Sequence, residues 1–159
     1  NWEIYQYCQE GHQIKFDYDQ KEPQIKINFL RVFEQLNLPT WSFLNAENHR
    51  FEVIGDRDQP ITKVKVNGDQ LYLGKMPLLR SDSPLVLEYL KSYLPQFEQQ
   101  GSTWTDLLSD GKIPKEDAGI EAIFAACDRL TETINQKIET LRQTYQELNQ
   151  EVNQLYRVD

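Results

Sequence analysis

Residues 114–157 read PKEDAGIEAIFAACDRLTETINQKIETLRQTYQELNQEVNQLYR, and this stretch decides the architecture. Ile120, Ile123, Cys127, Leu130, Ile134, Ile138, Leu141, Tyr145, Leu148, Val152 and Leu155 recur in steps of 3-4-3-4-4-3-4-3-4-3. Such spacing keeps every one of them on a single face of an α-helix. The two consecutive four-residue steps at Ile134–Ile138 make a stutter in an otherwise heptad-like pattern. No glycine or proline interrupts the run after Gly119. Pro114 suits the first turn of a helix, and Glu116 and Asp117 suit its positive end. About 40 residues at ~1.5 Å each give a helix roughly 60 Å long, more than a domain of about 120 residues spans, so a packing partner is expected. The seam Ile123, Leu130, Ile134, Ile138, Leu141, Leu148, Val152 and Leu155 could face a second copy, another helix of the same chain, or another domain.

Upstream, the helical period appears again from Gln24, where Ile25, Phe29, Val32, Phe33 and Leu36 follow three- and four-residue steps until Pro39. Ser83-Pro84 supplies an N-cap and a first-turn proline for a helix with Leu85, Leu87, Leu90 and Leu94 on one face, ended by Pro95. The rest reads as sheet. Trp2, Ile4, Tyr5 and Tyr7 suggest a first strand, and beyond Gly11 the residues Ile14, Phe16 and Tyr18 alternate as a second. Trp41–Leu44 and Phe51–Ile54 are short apolar runs. Thr62, Val64 and Val66 alternate with Lys63 and Lys65, and Asn67-Gly68 supplies a hairpin turn before Leu71 and Leu73. Residues 101–114 read as a linker with one helical turn around Trp104, Leu107 and Leu108. The sequence therefore predicts an α+β fold: an α+β domain over residues 1–110, with a small, mainly antiparallel sheet and packed helices, then a long coiled-coil-like helical arm over 111–159.

The chain has 159 residues, and its net charge of −8 opposes a phosphate grip over the whole surface and a basic membrane-surface helix. Cys8 and Cys127 are too few and too far apart for a secreted disulfide scaffold, which points to a reducing, cytoplasmic setting. No apolar run approaches 18 residues and no signal peptide is visible. The start at Asn1 rather than Met is expected of a piece of a longer protein or of a chain missing its beginning.

No catalytic, metal or cofactor signature stands out. His12 and His49 lie in polar turns and read as surface histidines. Cys127 sits on the helix stripe, where a thiol acts as a small hydrophobe. Asp56 and Asp58 flank Arg57 before Pro60, but the strand Ile61–Val66 lacks the acid that a metal-dependent nuclease would place there. The glycines are scattered, with no phosphate-cradling loop. One charge anomaly remains. From Arg50 to Arg80 the basic residues Arg50, Arg57, Lys63, Lys65, Lys75 and Arg80 outnumber four acids, so the stretch carries +2. Arg50, Lys63, Lys65, Lys75 and Arg80 are the candidate contacts to duplex DNA through a basic hairpin face. Alternating lysines also simply solvate the outer face of a half-buried sheet.

A β-rich unit followed by Ile113-Pro114 and by a helix bearing Ile120, Ile123, Leu130 and Ile134 resembles specificity modules of restriction–modification systems. Leu148 to Tyr156 (LNQEVNQLY) is similar to the helical tail of single-chain adenine-N6 DNA methyltransferases. The resemblance covers residues 112–156 and implies a non-catalytic C-terminal target-recognition or scaffold region. It cannot imply catalysis here, because the Asn/Asp-Pro-Pro-aromatic tetrapeptide of those enzymes is absent. The alternative expectation is a coiled-coil interaction or dimerisation module unrelated to DNA.

Overall fold

The computed structural model describes residues 2–15 and 23–156, with side chains to residue 152. The chain is α+β, with three small antiparallel sheets among the described residues and a long C-terminal helix. It divides into two compact units, Phe29–Ala125 and the pair of segments Asn1–Asn28 and Ala126–Asp159. The first is the central unit and the second the terminal unit. The line between them runs inside the long helix, whereas the sequence suggested a division at residue 110.

In the central unit, helix α2 (Phe29–Leu36) ends where Asn37 takes a positive φ of 48°. Asparagine tolerates that left-handed backbone better than most residues, and Pro39 then bars continuation. Strand β3 (Thr40–Ser42) leads directly into the one-turn helix α3 (Phe43–Ala46), capped by Ser42 Oγ accepting from the Asn45 N–H. A four-stranded sheet follows in the order β4-β7-β6-β5, from β4 (Glu52–Val53), β5 (Val64–Asn67), β6 (Gln70–Leu73) and β7 (Met76–Arg80).

The hairpin forms as expected, but its turn is one residue late. Asn67 pairs with Gln70, so Gly68-Asp69 is the two-residue loop, and only Gly68 has positive φ (63°). That is the signature of a II′ turn, which needs glycine at its first central position, rather than of an Asn-Gly I′ turn. Between β6 and β7 the register slips, Leu71 facing Leu79 but Tyr72 facing Pro77. The bulge frees Leu78 from pairing, which lets the consecutive Leu78 and Leu79 both be buried. The Leu78 carbonyl instead accepts from the N–H groups of Ile54 and Gly55. The backbone passes so close there that a Cβ on Gly55 would stand 1.9 Å from the Pro77 oxygen.

Ser83 caps helix α4 (Pro84–Tyr93) by accepting from the Val86 N–H, as read from the sequence. A 3₁₀ segment, Leu94–Gln100, follows it. The stretch expected to be a linker is core instead. Trp104 is fully buried, and β8 (Lys112–Pro114) pairs antiparallel with β3. The Trp104 ring stacks on Phe43 (4.7 Å, 5°) and meets Phe51 edge-on (5.4 Å, 85°). Phe43 in turn touches Tyr93, and Tyr93 stacks on Tyr89. The Trp104 indole N–H donates to Glu47 Oε1 at 2.6 Å, and Glu47 accepts from Arg57 at 2.9 Å. Buried aromatics with a polar edge need such a partner. The Tyr89 hydroxyl donates to the Lys112 carbonyl, and the Lys112 N–H donates to the Tyr93 hydroxyl, so α4 holds β8 by its backbone.

Three expectations fail in the terminal unit or at its edge. Residues 2–9 are helix α1 (Trp2–Gln9), not a strand. The helix expected from Gln24 begins only at Phe29, because Gln24–Lys26 is strand β2, paired with β1 (Gln13–Lys15) and setting Ile14 opposite Ile25. The expected strand positions Phe16 and Tyr18 lie outside the described residues. His12 is 3% exposed rather than a surface residue, its Nδ1 accepting from the Asn28 N–H at 2.9 Å.

Helix α5 (Asp117–Tyr156) starts three residues after Pro114, which belongs to β8. Along it the hydroxyls of Thr131, Thr133, Thr140 and Thr144 donate to the carbonyl four residues earlier. These threonines thereby satisfy their own polar group on the helix surface.

Candidate functional site

The five basic residues singled out in the sequence do not gather on one face. Gln70 pairs with both Asn67 and Arg80, which places Arg80 at the end of the sheet that carries the Gly68-Asp69 turn. Arg80 Nη2 bonds Glu52 at 2.7 Å. That hydrogen bond and the Glu52 charge, with Asp69 and Asp82 nearby, hold the Arg80 pKa above its ordinary value. Arg50, at the same end, pairs with Asp117. The two arginines line an open cleft of about 620 Å³ together with Glu52, Asp69 and Asp82. The three carboxylates outnumber the guanidinium groups, so this cleft repels a phosphate more than it attracts one.

The lysines lie toward the other end. Lys63 stands outside β5 in a left-handed conformation (φ 52°), and its carbonyl accepts from the Gly74 N–H. That bond brings Lys63 next to the turn bearing Lys75, while Lys65 sits on β5 opposite Tyr72. All three lysines are exposed. The strand alternation that suggested Lys63 and Lys65 on one face does not reach Lys63. Its grouping with Lys75 depends on a bond that sequence spacing does not announce.

No nucleophile, base and orienting group meet in the cleft. Ser81 Oγ donates to the Arg50 carbonyl and accepts from the Ser83 N–H, and Ser83 Oγ is the α4 cap. Both hydroxyls are committed to holding the chain. The His49 ring lies against Trp41 at 5.8 Å. Asp58 accepts from Thr105 Oγ1, and the Asp58 N–H donates to Asp56, so this acidic pair shapes a turn. Among the described residues no three His, Cys, Asp or Glu side chains stand together where they could share a metal ion. Burial pushes the Cys127 thiol pKa up, and neighbouring Asp128 adds to the shift, so this thiol is a poor nucleophile.

The apolar face of α5 offers a different kind of site. Ile123 is buried in the central unit, and Ile134 and Ile138 are buried in the terminal one. Leu130 and Leu141 are half-buried. Beyond Leu141 the cover ends: Tyr145 is 65% exposed, Leu148 50% and Val152 46%. The Leu155 side chain lies outside the described residues. At ~100° per residue these positions point the same way as Ile134 and Ile138, so the exposed and buried parts form one face.

Helix α1 lies beside the junction. Glu3 bonds Lys137 at 2.8 Å, and Trp2, Ile4, Thr133, Thr140 and Leu141 line a groove between the two helices. Trp2 is 68% exposed and stacks on Tyr5 across one helical turn (5.9 Å, 27°). An aromatic edge therefore stands where the uncovered part of the α5 face begins. The sequence places Tyr145 on the stripe, whereas Trp2 and Tyr5, whose pattern suggests a strand, belong to helix α1. Their three-residue spacing was the available signal. Among the described residues no helix is long and apolar enough to cross a membrane. No family model, curated protein or solved structure matches this chain.

Proposed function

We propose that this chain is a non-catalytic interaction module that receives a helical partner along the outer face of α5. The observation that carries the reading is the exposure of Tyr145, Leu148 and Val152 in the same line as buried Ile134 and Ile138. An apolar helical stripe left in water is an association surface, since burying it removes aromatic and aliphatic area from solvent. The paired arginines and the net charge of −8 favour a protein partner over a nucleic acid. The free Cys8 and Cys127 fit a reducing compartment, and a cytoplasmic location belongs to the same reading.

The test is a photo-crosslinking amino acid placed at Tyr145, with exposed Lys91 as the control position, in cells that make the protein. Position 145 is expected to yield an adduct that position 91 does not, and Leu148→Asp with Val152→Asp is expected to abolish it. Equal yields at the two positions, or an adduct indifferent to the aspartates, would overturn the reading.

One observation favours a second reading, the target-recognition or scaffold region of a DNA methyltransferase that the sequence resemblance implies. Lys63, Lys65 and Lys75 are exposed, and none of them is among the ion pairs of the described residues. Three phosphate contacts would give log K a slope of about −3 against log salt. Lys63→Glu with Lys65→Glu would remove most of it. Absence of duplex binding by the wild type at low salt excludes this role for the chain.

A further inference from the structure

We propose that the occupant of the outer α5 face is a second copy of this chain, running antiparallel and centred between residues 146 and 147. The inference rests on the interaction reading above and deepens it by naming the partner and its register.

The spacing Leu141, Tyr145, Leu148, Val152 alternates steps of four, three and four, which is the same read in either direction. Laid antiparallel about its middle, Tyr145 of each copy meets the second copy's Leu148, and Leu141 meets the second copy's Val152. Each layer then sets a larger side chain against a smaller one, the arrangement that fills a helix–helix seam. At the flanks Thr144 stands beside the second copy's Glu151 and Arg142 beside its Asn149, so no like charges face each other. A parallel pairing does worse, because it carries the seam through both Ile134 and Ile138, which are already buried. In the antiparallel register Val152 of the second helix instead meets Leu141, where Trp2 stands exposed at the rim of the α1 groove, and that helix ends at Tyr156, opposite residue 137, so it overlaps the buried part of the face at Ile138 alone.

The area suffices for a reversible dimer. With aromatics at ~150–250 Å² each when whole, the exposed parts of Trp2, Tyr145, Leu148 and Val152 come to roughly 450 Å² per copy. A standard stable interface uses about 800 Å² per partner, and smaller ones are transient. The polar flanks bring the total between those limits, the size of a transient interface. The interface also continues the face that the terminal unit already buries at Ile134 and Ile138.

Sedimentation of the purified full chain from about 1 to 200 µM measures the association, and cysteine crosslinking measures its direction. The wild type is expected to shift from monomer to dimer across that range, and Leu148→Asp to remain monomeric throughout. In a Cys8→Ser, Cys127→Ala background, Leu141→Cys and Val152→Cys chains are mixed and oxidised. The antiparallel register predicts mixed 141–152 dimers at least tenfold over either homodimer.

A chain that stays monomeric at 200 µM overturns the inference, as does a predominance of 141–141 and 152–152 products. In cells, a position-145 adduct of a mass other than twice that of the chain overturns the second copy while leaving the interaction reading intact. Loss of that adduct altogether removes both.

Discussion

Trp104 and Trp2 divide the molecule into two kinds of region. Trp104 is fully buried, stacked on Phe43, with its N–H answered by Glu47. Trp2 is 68% exposed and stacks on Tyr5. Around Trp104 the sheet bulge hides Leu78 and Leu79, and Arg50, Arg57 and Arg80 each meet a carboxylate, while Arg50 Nε stays buried without an acceptor. Around Trp2 an apolar helical face begins buried and ends in water. Tyr145, Leu148 and Val152 share one helical face, and contiguous apolar surface of this kind is where binding is to be sought.

The contrast should break first at the tryptophans. Trp104→Ala removes the ring at the centre of the aromatic core and is expected to destabilise the central unit by about 3–5 kcal/mol. Trp2→Ala should change the monomer's stability by no more than about 0.5 kcal/mol. Urea unfolding below 1 µM, read by the remaining tryptophans and by circular dichroism, compares the two. Similar costs would mean that Trp2 is structural and that the contrast fails.

The same comparison runs along α5. Ile134→Ala empties a fully buried position and should cost roughly 2–4 kcal/mol, the range for large-to-small core changes. Leu148→Ala, two helical heptads on and half exposed, should be nearly neutral in the monomer but weaken association at high concentration. Should Leu148→Ala unfold the dilute protein as Ile134→Ala does, the outer face is already covered within the chain.

Glu47 tests how far the central unit depends on internal pairing. Its side chain is 9% exposed and accepts from both Trp104 and Arg57. Glu47→Ala leaves the buried indole N–H without an acceptor and should cost about 1–3 kcal/mol. Arg57 is 45% exposed and regains water, so the arginine adds little to that loss. Glu47→Gln keeps an acceptor for the indole and should recover most of the stability.

Local signals were legible in the sequence, and non-local ones were not. The apolar period of α5, the Ser83 cap and the β5–β6 hairpin are written within a few residues of one another, and the fold follows them. Residues 2–9 misled because tryptophan and tyrosine at alternate positions fit a strand, while the contact that helps place α1, Glu3 to Lys137, lies 134 residues away. The stretch around Trp104 looked like a linker because its glycines and Pro114 are local punctuation, whereas Phe43, Phe51 and Glu47 are distant in sequence. His12 is buried beneath a bond from Asn28, sixteen residues on. The candidate cations suffered likewise. Their net charge was readable, but the pairing of Arg50 with Asp117 and of Arg80 with Glu52 was not. For the α5 face the stripe was legible, and the extent of its cover was not, because contacts such as Glu3 to Lys137 join residues far apart in sequence.

The smallest effect, and the one that separates the units by pH, comes from Tyr89. Burial raises its pKa far above the ordinary tyrosine value of 10.0, and Tyr93 beside it adds to the shift. The unfolded chain therefore releases this proton from about pH 10 upward while the folded chain keeps it. Folding binds the proton more tightly, so the stability it contributes is whole below pH 10 and falls as pH rises. Tyr93, also raised chiefly by burial, acts in the same direction. Both hydroxyls hold Lys112 of β8, so the central unit should loosen first in alkali. Tyr89→Phe is expected to cost about 1 kcal/mol at pH 7 through the lost bond to the Lys112 carbonyl, and to flatten the decline in stability between pH 10 and 11.5. Paired urea titrations at pH 7 and 11 decide it. An unchanged alkaline slope in the variant would show that another group, and not this buried phenol, limits the central unit there.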